Sequence, residues 1–187
     1  MKIFYAVLVL VYLLGLSWYG GSGDPVKDAE LESYIKALTS NAGVRGKDTD
    51  KSVNYMRRLA EKDDGNEFIM VNLIRFRETS LYSKDSPWVD ETDPMLADTR
   101  YGDGVIPLLL KRGSLPIFVS SVSGRFINET THGEWDMVAM VRYRSVRDML
   151  QMMVEMSSTD LADHKWAAIE QTHVFPVKPK ILSLIHI

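Results

Sequence analysis

The stretch Phe68-Ile69-Met70-Val71-Asn72-Leu73-Ile74-Arg75-Phe76-Arg77 decides the fold. It holds no glycine or proline and is rich in branched and aromatic residues, so it reads as a strand. Successive side chains of a strand point to opposite faces. Phe68, Met70 and Phe76 therefore oppose Ile69, Val71 and Leu73, and both faces are apolar. A strand of that kind is covered on both sides. Asn72 interrupts the apolar pattern. Arg75 and Arg77 end it on the face opposite Asn72, where a salt-bridged rim and anion capture are both open readings.

Downstream, the polar segment from Glu78 to Ala97, with Pro87 and Pro94, reads as a long loop. Tyr101, Val105, Leu108 and Leu109 keep helical spacing, Gly102, Gly104 and Pro107 make its first turn irregular, and Lys111-Arg112-Gly113 marks its end. Ile117 to Phe126 is a second strand, Asn128 to Gly133 a hairpin loop, and Trp135 to Tyr143 a third strand. Ser145-x-x-Asp148 has the form of a capping box with aspartate in the glutamate position. Val146, Met149, Leu150, Met153 and Val154 make a helical stripe behind it. Asp160 to Glu170 is a further helical piece, and Thr172 to Val177 a fourth strand. The order is β-α-β-β-α-β, an α+β chain of the ferredoxin-like kind.

Upstream, Leu31, Tyr34, Ile35 and Leu38 form the stripe of one amphipathic helix, and Val53, Met56, Leu59 and Ala60 that of a second, capped by Asp48 or Thr49. Asp63-Asp64-Gly65-Asn66 is a turn whose carboxylates read as solvated. Lys2, the apolar run Ile3 to Tyr19 and the small residues Gly20 to Gly23 describe a secretory signal or a membrane anchor. Either reading exports the chain, leaving it periplasmic or tethered to the membrane and facing outward. The chain thus divides into a signal or anchor (1–23), a helical extension (24–65) and the main domain (66–180). The last six residues, 182–187, read Leu-Ser-Leu-Ile-His-Ile, which resembles the in-frame translation of a sequencing-library adapter, with a natural apolar terminal strand as the alternative, and are set aside.

A chain of 187 residues with 45% hydrophobic content supports one domain with a core. Its net charge of −3 lacks the basic footprint of a nucleic-acid partner. It has no cysteine, which excludes disulfides, thiolate metal sites and cysteine nucleophiles. It also lacks an HExxH pair, a nucleophile elbow and a phosphate-binding glycine loop.

Met70-Val71-Asn72-Leu73-Ile74-Arg75-Phe76-Arg77, Tyr101, Trp135-Asp136 leading into Val141-Arg142-Tyr143, and His164-Lys165-x-Ala167-Ala168-Ile169-Glu170 together resemble a bacterial domain-of-unknown-function family of the dimeric α+β barrel superfamily. The resemblance spans Phe68 to Val177. It implies a ferredoxin-like fold and a homodimer, and no established reaction. Some members of the superfamily degrade haem with an asparagine, a tryptophan and a histidine. Asn72 and Trp135 fall on comparable strands here, but His164 comes too late in the chain for that chemistry.

Polar groups that interrupt apolar patterns nominate the ligand-binding candidates: Asn72, Tyr101 and His164 lining one cavity between sheet and helices, with Trp135 and Arg142 near its rim. Each also has a structural reading. Asn72 could fix a buried network, Trp135 pack in a core or interface, Tyr101 cap packing, and His164 be a satisfied buried histidine. No metal or cofactor is expected. Three functions follow: a small-molecule-binding protein or enzyme, a non-catalytic envelope protein acting through dimer or partner contacts, or a haem-linked monooxygenase. A two-faced apolar sheet calls for a homodimer, unless the first two helices fold over its second face.

Overall fold

The computed structural model describes residues 2–20, 23–40, 49–127 and 134–178. The expected hairpin loop from Asn128 to Gly133 and the adapter-like residues 182–187 lie outside them. The elements run α1 (Lys2–Gly20), α2 (Asp28–Ser40), α3 (Thr49–Ala60), β1 (Phe68–Phe76), α4 (Pro94–Leu110), β2 (Leu115–Ser121), β3 (Met137–Tyr143), α5 (Val146–Ser157), α6 (Leu161–Ala168) and β4 (Ile169–Val177). The four strands form one antiparallel sheet in the order β2-β3-β1-β4. The fold is α+β and compatible with the ferredoxin-like arrangement.

Several boundaries depart from the sequence expectation for local reasons. α4 begins well before Tyr101: the Asp93 carboxylate accepts from the Met95 amide at 2.8 Å, and Pro94 occupies the first turn. A proline there sacrifices an N–H that has no partner in any case. The long loop is shortened accordingly. β2 stops at Ser121: the Val122 amide still donates to the Asp136 carbonyl at 2.8 Å, and Val122 to Ile127 are exposed. β4 begins at Ile169, directly off α6.

Cross-strand register assigns the faces. Phe68 pairs with Tyr143, Met70 with Val141 and Ile74 with Met137. These residues join the apolar clusters made with the helices. Phe68 packs with Leu31, Ile35, Met56, Val146, Met149 and Leu150, and Ile74 with Ala97, Ala167 and Ala168. α2 and α3 therefore lie on the helical side, against α5, and do not fold over the second face. Arg147 on α5 binds Glu30 on α2 at 2.8 Å, which holds that carboxyl below its usual range. The Asp63 carboxylate accepts from the Val26 and Gly65 amides at 2.8 and 2.9 Å. That turn carboxylate ties the two ends of the extension together, where the sequence suggested a solvated group.

The other face carries Ile69, Val71 and Leu73 from β1 and Val138 and Met140 from β3. None of them joins a helical cluster among the described residues. Ile69 and Val71 are nonetheless buried. Val71 stands between its cross-strand partners Met140 and Phe175. The exposure of this face is carried by the edge strands, with Phe118 at 48% and Phe175 at 42%.

Candidate functional site

The five candidate residues do not share a cavity. The Asn72 amide donates to the Met70 carbonyl at 3.3 Å and the Ala139 carbonyl at 3.2 Å, a link between β1 and β3 on the helical face. Tyr101 packs against Val105, Leu109 and Met152, with the Lys165 ammonium 5.3 Å from its ring. Its neighbour Tyr143 has its hydroxyl pKa pushed up by burial. Trp135 lies 4.9 Å from the ring of His173. His173 pairs with Leu73, so this contact is on the face opposite Asn72. Arg142 shares that opposite face, as the partner of Ile69. Asn72 is bonded to neighbouring backbone, and Tyr101 and Trp135 make ring contacts within the fold. The candidates lie on opposite faces of the sheet, which does not fit a single cavity lined by all of them.

His164 is the centre of a compact polar cluster under the loop that follows β1. It is only 4% exposed and shares a 2.7 Å hydrogen bond with the Tyr82 hydroxyl through Nδ1. Trp88 closes over it with ring centroids 5.5 Å apart, and the Arg100 guanidinium sits 4.2 Å above Trp88. Arg100 in turn binds Glu91 at 2.9 Å. Burial lowers the pKa of His164, with the Asp160 carboxylate opposing the shift. The histidine is a neutral clasp that pins the loop to α6. Trp88 Nε1 and Arg100 Nη1 are buried without a protein partner. Sequence reading missed Tyr82, Trp88, Glu91 and Arg100, because they lie in a stretch with no periodicity.

An open cleft of about 920 Å³ lies at the far end of β1, lined by Arg75, Arg77, Arg125, Glu134, Asp136 and Glu170 among others. Arg75 binds Glu170 at 3.0 Å and Arg125 binds Glu134 at 2.8 Å. The salt-bridged rim expected for Arg75 is therefore present. Asp136 accepts from the Phe76 amide at 2.7 Å. Arg77 differs, since its Nε is buried with no partner. A smaller depression of about 150 Å³ lies outside Tyr82, against Asp163 and Trp166. Neither is lined by Asn72, Tyr101, Trp135, Arg142 or His164. Among the described residues no group of three or more histidines and carboxylates could hold a metal ion.

Solved structures of similar fold include two of one protein. The crystal structure of RPA0582, a protein of unknown function from Rhodopseudomonas palustris, superposes with a TM-score of 0.60 at 24% identity. The match covers 73% of this chain and 97% of that one. The methylated RPA0582 protein gives a TM-score of 0.62 at 22% identity, over 73% and 96% of the two chains. The likeness is one of fold. No family model matches the sequence, and no curated protein does.

Proposed function

We propose that this chain is an exported, membrane-tethered envelope protein that works through self-association, pairing the sheet face opposite α2 and α5 with that of a second copy as dimeric α+β barrels do. The observation that carries this reading is the apolar character of that face: Ile69, Val71 and Leu73, flanked by Val138, Met140, Phe118 and Phe175. The helical extension, which offered the alternative cover, is engaged elsewhere. Two such sheets packed about 10 Å apart would remove the exposed rings from water. The test is light scattering on the detergent-solubilised full chain. A dimer is expected, with the double variant Phe118→Lys, Phe175→Lys becoming a monomer. Both positions are half-exposed, so lysine is tolerated in the single chain. A monomeric parent at micromolar concentration would sink the reading.

A second reading is supported by Arg77. Its buried, unpartnered Nε on the wall of the open cleft suits a small anionic ligand, since an unsatisfied buried donor costs about 1–3 kcal/mol. Raised thermal stability in the presence of a carboxylate or phosphate compound, abolished in Arg77→Gln, would support it. No shift with any of them would end it.

A further inference from the structure

A helix end leaves four backbone carbonyls without intrahelical partners. At the end of α1 the domain bonds two of these carbonyls and approaches a third. Arg144 Nη1 donates to the Trp18 carbonyl at 3.1 Å and approaches that of Ser17 at 3.5 Å. Arg142 Nη2 donates to the Tyr19 carbonyl at 2.9 Å, and its guanidinium lies 3.5 Å from the Tyr19 ring centroid. The Trp18 indole returns a bond of 2.8 Å to the Leu110 carbonyl at the end of α4.

The docking arginines are themselves held. Arg142 is 5% exposed and also bonds the Gly113 carbonyl at 2.9 Å and the Glu67 carboxylate at 2.5 Å. Arg144 grips Asp148 with two bonds of 2.7 and 2.8 Å. Gly113 has a φ of 63° and lies so close to α1 that a Cβ there would strike the Trp18 carbonyl. Cationic side chains at a helix C-terminus also meet the negative end of its dipole.

α1 itself is 19 residues long with a mean hydropathy of 1.9, and none of its residues is buried. It is long and apolar enough to cross a bilayer by length and composition. Trp18 and Tyr19 stand at its end, where the aromatic belt of a spanning helix lies. Ile106 and Leu110, four apart on α4, are both about 40% exposed beside this junction. They extend the apolar surface from the helix onto the domain.

We propose that α1 is retained in the mature chain and that Arg142 and Arg144 dock its C-terminal carbonyls, so that the domain is clamped to the outer surface of the lipid bilayer with the Ile106–Leu110 edge of α4 against it. The inference rests on the tethered reading above. It goes further in making the junction rigid and giving the domain one orientation on the membrane.

The absence of cysteine makes a clean test accessible. Nitroxides would be placed on Val11→Cys in α1 and Asp103→Cys in α4 of the full chain, reconstituted in lipid nanodiscs and diluted into unlabelled chain. A single narrow distance distribution is expected, and its loss to a broad one in Trp18→Ala and in Arg144→Gln. A broad distribution in the parent chain would overturn the docking. Intact-mass analysis of chain recovered from the expressing cell would overturn retention if the protein starts after Gly20. A narrow distribution in a chain that scatters as a monomer would uphold the clamp while the sheet-face dimer fails, so the two readings are separable.

Discussion

His164 and Tyr82 show how a single pair can hold a loop. Their hydrogen bond joins residues 82 apart in the chain and is buried. Tyr82→Phe keeps the ring packing and leaves the imidazole nitrogen unsatisfied, which costs about 1–3 kcal/mol. Urea titration of the two chains checks this. The same histidine makes stability depend on pH. Burial holds its folded pKa below the ordinary 6.5, so below that pH the unfolded chain binds the proton more readily. Stability therefore rises with pH in this window, and is lost as pH falls from about 6.5 toward the folded pKa. A His164→Leu variant should show a shallower acid-side decline in melting temperature. An unchanged decline would remove His164 from the account.

Among the elements, α5 depends most visibly on its first turn. Ser145 accepts from the Asp148 amide at 3.1 Å, the N-cap half of the capping box expected from Ser145-x-x-Asp148, while the Asp148 carboxylate accepts from the Ser145 hydroxyl at 2.7 Å. Behind the cap, Val146, Met149 and Leu150 are buried in the core shared with α2 and β1. Ser145→Ala should destabilise the chain by about 1 kcal/mol with an unchanged denaturant slope. A loss near zero would show that Arg144 on Asp148 suffices to start the helix. The strands and amphipathic helices were legible from their two periodicities, which are local properties. The start of α4 was not: seven residues before Tyr101, its first turn carries no apolar stripe, only the Asp93-Pro94 signal.

For the whole molecule, the proposed pairing makes thermal stability depend on protein concentration, because association favours the folded state by mass action. The melting temperature of the full chain should rise with concentration. In the Phe118→Lys, Phe175→Lys variant it should not. A parent chain whose melting temperature is flat across concentrations would count against the dimer, independently of light scattering.

By itself the sequence determined the number and type of elements in the main domain, their order, the amphipathic extension and the apolar leading helix. It also contained the decisive oddity of β1, an apolar strand with two faces to cover. These are readable because spacing along the chain maps directly onto a helix face or a strand face. Only the tertiary structure decided which face each polar group meets. Asn72 was taken up by neighbouring backbone, Asp63 by the Val26 amide and His164 by Tyr82, leaving none of them free for a ligand. Arg142, an expected rim residue, became the clamp of a carbonyl 123 residues away. Such pairings join segments with no relation in spacing. They are selected by the cost of leaving a buried polar group alone, which no local pattern records.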